Sequence, residues 1–298
     1  MKDLIIVGSG IAGLTAAIYA KRYGLELELL DKAQPGGQLL LTSDIENYPG
    51  FRGSIPELMK IIQEQLAGLG VAAENFCVEE IEKEREHFVL KSGEGAKMSR
   101  AVIWAAGLVP RPLGVKGEKE FQGRGVSYCA TCDGFFFRGK EVAVVGGGDR
   151  ACEEALLLSR LARKVYLIHR RDKLRAALIL QEKVFSTPSI EILWNSQVEE
   201  IQGEKKVEVL MLKEKDGRIL ERKIDGVFIF TGMQSQNDPV KKILSLPPDG
   251  FICTDEALAT GVPGFFACGD CRKRPLYQAV TAAAEGAVAA FSAAEYLE

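Results

Sequence analysis

The sequence predicts an α/β fold of two doubly wound, Rossmann-like nucleotide-binding domains, the second inserted in the first. Two observations carry this. A strand–glycine turn–helix–strand pattern occurs twice, beginning at Asp3 and again at Glu141. Stretches bearing Pro or Gly, Pro112 to Gly117 and Gly232 to Pro239, bracket the second copy and read as crossings between domains. The expected domains are therefore 1–112 with 240–298, and 113–239.

In the first copy, the apolar run Asp3 to Val7 ends in Gly8-Ser9-Gly10-Ile11-Ala12-Gly13. A helical pattern follows to Arg22, then the strand Leu25 to Leu30 and Asp31. G-x-G-x-x-G is weak alone, but this context is the one a dinucleotide needs. Gly8 permits the tight turn, Gly10 lets a pyrophosphate approach, and Gly13 lets helix and strand pack. The helix N-terminus favours phosphate charge, and Asp31 can accept from ribose hydroxyls.

In the second copy, Glu141 to Val145 runs into Gly146, Gly148 and Ala151, the G-x-G-x-x-A variant, with Asp149 inside it. The next strand, Lys164 to Ile168, is followed by His169-Arg170-Arg171-Asp172-Lys173-Leu174-Arg175. No acidic residue ends this strand. The guanidinium forks of Arg170, Arg171 and Arg175 suit a 2′-phosphate, which favours NADPH over NADH. His169 either helps to bind phosphate or merely ends the strand.

The rest fits around these units. Residues 53–69 read as a helix through Ile55, Leu58, Ile61, Ile62 and Leu66, and 71–103 as strands. Residues 197–229 repeat the strand pattern, with a hairpin at Asp216-Gly217, and Ala279 to Ala294 form an alanine-rich helix. The 298 residues suit two domains of roughly 150 each. The balance of 38 basic against 41 acidic residues lacks the clustered positive face that nucleic acid requires. No apolar run reaches the ~18–20 residues of a membrane span. The N-terminus enters a strand at once, leaving no room for a signal peptide, so a cytoplasmic protein is expected.

Seven cysteines cannot all pair within the chain. Cys129-Ala130-Thr131-Cys132 can close a small reducible disulfide, and Asp133 beside it can supply a proton to a departing thiolate. A second pair, Cys268 and Cys271, raises zinc as an alternative. Gly269-Asp270 between them follows an apolar run and precedes the alanine-rich helix, which looks like a cofactor-binding strand end, so no metal site is expected. Cys77, Cys152 and Cys253 read as packed small hydrophobes.

These motifs occur in one order with Pro35-Gly36-Gly37-Gln38, Asn47-Tyr48-Pro49-Gly50, Ala105-Ala106-Gly107 and Gln278-Ala279-Val280-Thr281-Ala282-Ala283. Over essentially its whole length the chain resembles the low-molecular-weight thioredoxin reductases of the pyridine nucleotide-disulfide oxidoreductase family. The resemblance implies a homodimeric enzyme with FAD in the discontinuous domain and NADPH in the inserted one. It implies FAD contacts from Asp31 through Gly36, Gly37 and Gln38, from Asn47, and from the Gly269-Asp270 motif through Gln278 and Ala279. It makes Cys132 the thiol facing the flavin, Cys129 the one that attacks a thioredoxin-like protein, and Asp133 the general acid. It further implies that the inserted domain rotates, bringing nicotinamide and cysteine pair to the flavin in turn.

Three departures stand out. Tyr277 replaces an arginine usual beside Gln278, Arg150 replaces a small hydroxyl residue, and Cys268 and Cys271 flank a motif that usually has neither. The last two read as buried thiols, with an auxiliary redox role as the alternative. The competing functions are a related flavin-dependent dithiol oxidoreductase, ferredoxin-fed or peroxidase-linked, and a non-catalytic redox sensor. The arginine trio speaks against a ferredoxin donor, and the complete set of sites against a sensor.

Overall fold

The computed structural model describes residues 1–41 and 44–298. The chain divides into two compact units, Met1–Val109 with Gln234–Glu298, and Pro110–Met233.

In the first unit, β1 (Lys2–Val7) leads into α1 (Ile11–Arg22) and β2 (Leu27–Asp31). A 3-10 turn (Gly37–Leu41) precedes the hairpin of β3 (Asp44–Tyr48) and β4 (Phe51–Ser54). α2 (Ile55–Gly68) starts at Ser54, whose Oγ accepts from Glu57 N–H, with Pro56 in its first turn. It buries Ile55, Leu58, Met59, Ile62 and Leu66. Ile61, read as part of that apolar face, stays 49% exposed. β5 (Ala73–Asn75), β6 (Glu80–Glu84), β7 (His87–Ser92) and β8 (Gly95–Trp104) complete this stretch.

The crossings lie in two short strands, β9 (Leu108–Pro110) and, far along the chain, Met233–Ser235. They therefore fall earlier than the boundaries placed after 112 and 239. Asn237 explains the second shift, since it is buried in the first unit, where Val240 is buried too. Val240 packs with Phe88, Ile252 and Phe265, and Asn237 Oδ1 accepts from Trp104 Nε1 at 2.8 Å.

The second unit holds β10 (Val126–Ser127), α3 (Ala130–Asp133), β11 (Glu141–Gly146), α4 (Asp149–Leu158) and β12 (Lys164–His169). Next come α5 (Leu178–Phe185), β13 (Ile190–Trp194), β14 (Ser196–Gln202), β15 (Val209–Glu214), β16 (Ile219–Lys223) and β17 (Gly226–Phe230). Its main sheet, ordered β10-β17-β11-β12-β13, is parallel throughout. An antiparallel sheet β14-β15-β16 turns at Asp216-Gly217, with Gly217 at φ +87°. Strands buried on both faces explain runs such as Val142–Val145, where apolar residues do not alternate with polar ones.

Returning to the first unit, β18 (Met233–Ser235), β19 (Phe265–Ala267) and α6 (Ala279–Leu297) follow. β19 adds to β8 in the seven-stranded sheet β5-β2-β1-β8-β7-β6, parallel from β5 to β8 and antiparallel beyond. α6 packs along α1. A Cβ on Gly286 would sit 2.1 Å from the Ala12 carbonyl oxygen, so the absence of a side chain sets this helix spacing.

Candidate active site

In the first unit, the glycine turn joins β1 to α1 with no room for side chains at Gly8 and Gly13. Gly8 has φ +103° and donates to the Leu30 carbonyl. A Cβ on Gly13 would lie 1.8 Å from the Gly8 oxygen. At Gly10 nothing lies within 4 Å of that position, and no side chain caps α1 there. The first N–H groups of α1 are thus free for an anion. Asp31 ends β2 and ties back to the turn. Its Oδ2 accepts from Ser9 N–H and Oγ at 2.6 and 2.7 Å, and Oδ1 from Ala33 N–H at 3.0 Å. Oδ1 keeps a second lone pair for a ribose hydroxyl. A cavity of ≈ 350 Å³ opens at these strand ends, lined by Gly8, Asp31, Phe76, Val78, Trp104 and Ala106 among others.

The remaining residues expected here gather around that turn. Gly36 donates to the Ser9 carbonyl at 2.8 Å, and a Cβ on Gly37 would lie 3.1 Å from Gly10 Cα. Gln38 Nε2 donates to Asp270 Oδ2 at 2.8 Å, and Asn47 Nδ2 to Gln278 Oε1 at 3.0 Å. Gly269 (φ +75°) packs on Ala12. Gln278 caps α6 in a reciprocal box with Thr281, leaving Ala279 as the first helical residue. Glycine approaches, free helix N–H groups and the cavity fit an adenine dinucleotide of the FAD type. Arg274 and Glu285, which the sequence reading did not single out, knit these groups together. Arg274 pairs with Asp270, and Glu285 accepts from Gly269 N–H at 2.8 Å. In sequence, Arg274 is hidden within the cluster Arg272-Lys273-Arg274, which looks like a solvated surface.

Cys268 and Cys271 lie beside this cleft as free, fully buried thiols. Cys271 Sγ donates to the carbonyls of Trp104 and Cys268 at 3.3 and 3.1 Å. Burial pushes the Cys271 thiol up to about 12 and Cys268 well above its ordinary value. Neither thiol is a ready thiolate, the form that redox exchange requires. Cys152 is buried as expected, whereas Cys77 and Cys253 are exposed, a correction to their reading as core residues. Both lie in loops, where small size alone does not ensure burial. No group of three or more His, Cys, Asp or Glu side chains is placed to hold a metal among the described residues.

The second unit repeats the turn with tighter cover. A Cβ on Gly146 would lie 2.5 Å from the Phe230 oxygen and 2.6 Å from Ala151 Cβ. Gly148 begins α4 with no side-chain cap, and Asp149 Oδ1 accepts from Ala177 N–H at 2.7 Å. His169 is 5% exposed and its ring fills the space a Gly147 side chain would need. Its Nδ1 and Nε2 each lie 3.0 Å from a carbonyl, of Gly146 and Lys173 respectively. Burial lowers its pKa, and the two carbonyl contacts pull the other way. Arg170, Arg171 and Arg175 are exposed, and no carboxylate pairs with them among the described residues. Three unpaired guanidiniums beside an uncapped glycine turn fit a phosphorylated nucleotide. Arg150 does not join them. Its guanidinium lies over the Phe230 ring, 3.2 Å from Met233 Sδ and 3.5 Å from the Tyr128 carbonyl.

Cys129 and Cys132 form a disulfide, with Cα atoms 5.3 Å apart. The pair is asymmetric: Cys129 is 7% exposed, while Cys132 is exposed. Cys129 Sγ accepts from Cys132 N–H at 3.1 Å. Asp133 ends α3 and lines a ≈ 290 Å³ cavity with Ser127, Phe136 and Lys140. Phe135 and Phe136 are 65% and 69% exposed, while Phe137 is buried. The sequence reading missed this aromatic pair; the signal was the run of three phenylalanines, which a short turn cannot bury together.

Two nucleotide-type turns and one C-x-x-C disulfide define the class, a nucleotide-dependent dithiol–disulfide oxidoreductase. The family model for pyridine nucleotide-disulphide oxidoreductases matches residues 2–286, and the chain belongs to that family. Thioredoxin reductase of Bacillus subtilis (strain 168) is 44% identical over 299 residues, covering 99% of this chain and 95% of that protein. The structure of Lactococcus lactis thioredoxin reductase is 40% identical with a TM-score of 0.93, covering 100% of this chain and 99% of the other. That of T. acidophilum thioredoxin reductase is 34% identical with a TM-score of 0.89, covering 99% and 98%. The family implies a flavin and a pyridine nucleotide.

Glu154, one turn after Arg150 on α4, is 7% exposed, and its Oε2 has no hydrogen-bond partner among the described residues. Burial raises its pKa to about 7, with Arg150 pulling the other way. The folded protein thus holds a proton here that the unfolded chain releases above its ordinary value. Stability contributed at this site is present at low pH and lost as pH rises from about 4.5 towards 7. Glu154→Gln removes that loss. Urea unfolding of native and variant proteins should show the variant gaining on the order of 2–3 kcal/mol relative to native between pH 5 and pH 8. An unchanged difference across that range would disprove it.

Proposed function

We propose that the chain is a thioredoxin reductase, taking electrons from NADPH through FAD to the Cys129–Cys132 disulfide and on to a thioredoxin-like protein. The observation that carries this is a C-x-x-C disulfide beside an exposed aromatic pair, in a chain with two nucleotide-type turns. The net reaction balances as NADPH, one proton and a partner disulfide giving NADP⁺ and a partner dithiol. When bound, the flavin accepts two electrons as hydride and passes them on as an electron pair that opens a disulfide.

The chain's own residues account for the rest. In the first unit, the N-termini of α1 and α6 and the Asp31 carboxylate hold FAD, with Gly36, Gly37, Gln38, Asn47, Asp270 and Gln278 around it. In the second, Gly146, Gly148 and Asp149 hold the dinucleotide turn, and Arg170, Arg171 and Arg175 its 2′-phosphate. His169 serves by stiffening that turn. Cys132 is the thiol that would face the flavin. Cys129, once released, has its thiolate stabilised by the Cys132 N–H and attacks the partner disulfide. Asp133 gives the proton that the departing thiolate needs. Phe135 and Phe136 offer apolar area to a protein partner. A cytoplasmic setting, where thiols stay reduced, suits the five free cysteines.

The enzyme as isolated should show a flavin spectrum that NADPH bleaches without oxygen and oxidised thioredoxin restores. With Cys132→Ser, bleaching persists, turnover falls to background, and Cys129 traps a thioredoxin bearing an activated thiol as a mixed disulfide. Trapping by Cys132 in the Cys129→Ser protein instead would reverse the two roles. Continued turnover in both variants would remove the pair from the reaction.

Substituting Arg170 and Arg171 by Ala should raise KM for NADPH far more than for NADH. Each charge-assisted contact is worth about 1.5–3 kcal/mol, roughly ten- to a hundredfold in discrimination. The arginine trio also favours a pyridine nucleotide over ferredoxin as donor. Equal kcat/KM for the two nucleotides in the native enzyme would refute this.

Tyr19 on α1, Tyr23 just after its end, and Val288 and Phe291 on α6 leave 40%, 45%, 40% and 49% of their surfaces exposed. We read this apolar face as the contact between two copies in a homodimer. Light scattering should give twice the chain mass for the native protein and a lower mass after Phe291→Glu. A monomeric native protein would rule the dimer out.

A further inference from the structure

The loop before α6 buries more charge than a connection needs. The Arg274 side chain is 2% exposed. Its Nη2 donates to Asp270 Oδ1 and, at 3.4 Å, to the Gln278 carbonyl. Nη1 lies 3.4 Å from Glu285 Oε2, and the guanidinium carbon sits 5.3 Å from the centre of the Tyr277 ring. Even so, Nε and Nη1 have no hydrogen-bond partner among the described residues. Glu285 is occupied elsewhere, by Gly269 N–H at 2.8 Å and Arg272 Nη1 at 2.6 Å.

A guanidinium so deeply set is costly to desolvate, and hydrogen bonds satisfy it only in part. What it serves is visible in its partners. Asp270 also accepts from Gln38, and Gln278 caps α6 while accepting from Asn47. Burial holds the Asp270 carboxyl above its ordinary value, against the opposing pull of Arg274 and Gln38. An ionised carboxylate is an acceptor only, with free lone pairs for a hydroxyl. A protonated one would compete as a donor.

We propose that Arg274 is a positioning residue of the flavin cleft, holding the Asp270 carboxylate and Gln278 in place for bound FAD. Its own side chain lies beneath the surface and acts through those two. This rests on the reading that the first unit binds FAD. Tyr277 takes part as the flat surface that supports the guanidinium.

The test is calorimetric titration of FAD into flavin-stripped full-length protein, with apoprotein melting measured beside it. Arg274→Met should weaken FAD binding by roughly tenfold to a hundredfold, the range for a lost charge-assisted bond. Arg274→Lys, which keeps the charge but not the fork, should recover part of that. In an Asp270→Asn background, Arg274→Met should cost less than it does alone, because the two share one route. FAD affinity within twofold of native in Arg274→Met overturns the proposal, as does equal weakening in Met and Lys variants with equal loss of apoprotein melting temperature. Should Arg274→Met fail to fold, Arg274→Gln against Arg274→Lys decides, and equal FAD affinity in those two overturns it. A native protein that takes up no FAD overturns the cleft reading and this inference together, a result distinct from the others.

Discussion

The first unit depends on how closely its first helix is allowed to approach the backbone around it. Gly13 rests on the Gly8 carbonyl, Gly286 on the carbonyl of Ala12, and Gly269 on the Ala12 side chain. A methyl at the first two of these positions would collide with backbone, which cannot swing aside as a side chain can. The three contacts together fix α1 against its own turn and against α6. That places uncapped N–H groups, the Asp31 carboxylate and the Gln38–Asp270 pair about one cleft. The chemistry of the cleft is therefore a consequence of missing side chains as much as of present ones.

The second unit starts from the same plan and diverges at its edges. Ala151 stands where the first turn has Gly13, and Gly146 leaves room for its methyl. His169 covers Gly147, so an imidazole stiffens a turn that glycines alone would leave loose. The two second strands then end in opposite charge. Asp31 is tied back into its turn, whereas Arg170, Arg171 and Arg175 stand in solvent with no paired carboxylate among the described residues. Two copies of one backbone unit thus present different faces to nucleotides, by changes in the turn and at the strand ends.

Much of this was legible in the sequence because its causes are local. Glycine spacing, the apolar run before it and the residue ending the next strand lie within one supersecondary unit, and so do Cys129, Cys132 and Asp133. The alanine-rich helix and the Asp216-Gly217 hairpin were equally open to reading. What escaped depends on partners remote in the chain. Arg274 is buried because Asp270 and Glu285 surround it, and nothing in the string Arg272-Lys273-Arg274 says so. His169 turned inward because two carbonyls receive it. Ile61, Cys77 and Cys253 match the composition of a core, yet no neighbouring element arrives to cover them. The second unit boundary shifted for the same reason: Asn237 is claimed by distant residues, Trp104 and Cys271 among them.

The discontinuity of the first unit sets an order on its own making. Its sheet requires β19 against β8, and α1 requires α6. Both α6 and β19 lie after the whole of 110–233, so they leave the ribosome last. At roughly 5–20 residues per second, the 124 intervening residues take several seconds or more to emerge. Throughout that time β8 has an open edge, and the small residues of α1 that α6 will cover face water. The inserted unit, by contrast, is one unbroken stretch whose five parallel strands are all present once Phe230 has emerged. The half of the molecule that is begun first is the half that must be finished last.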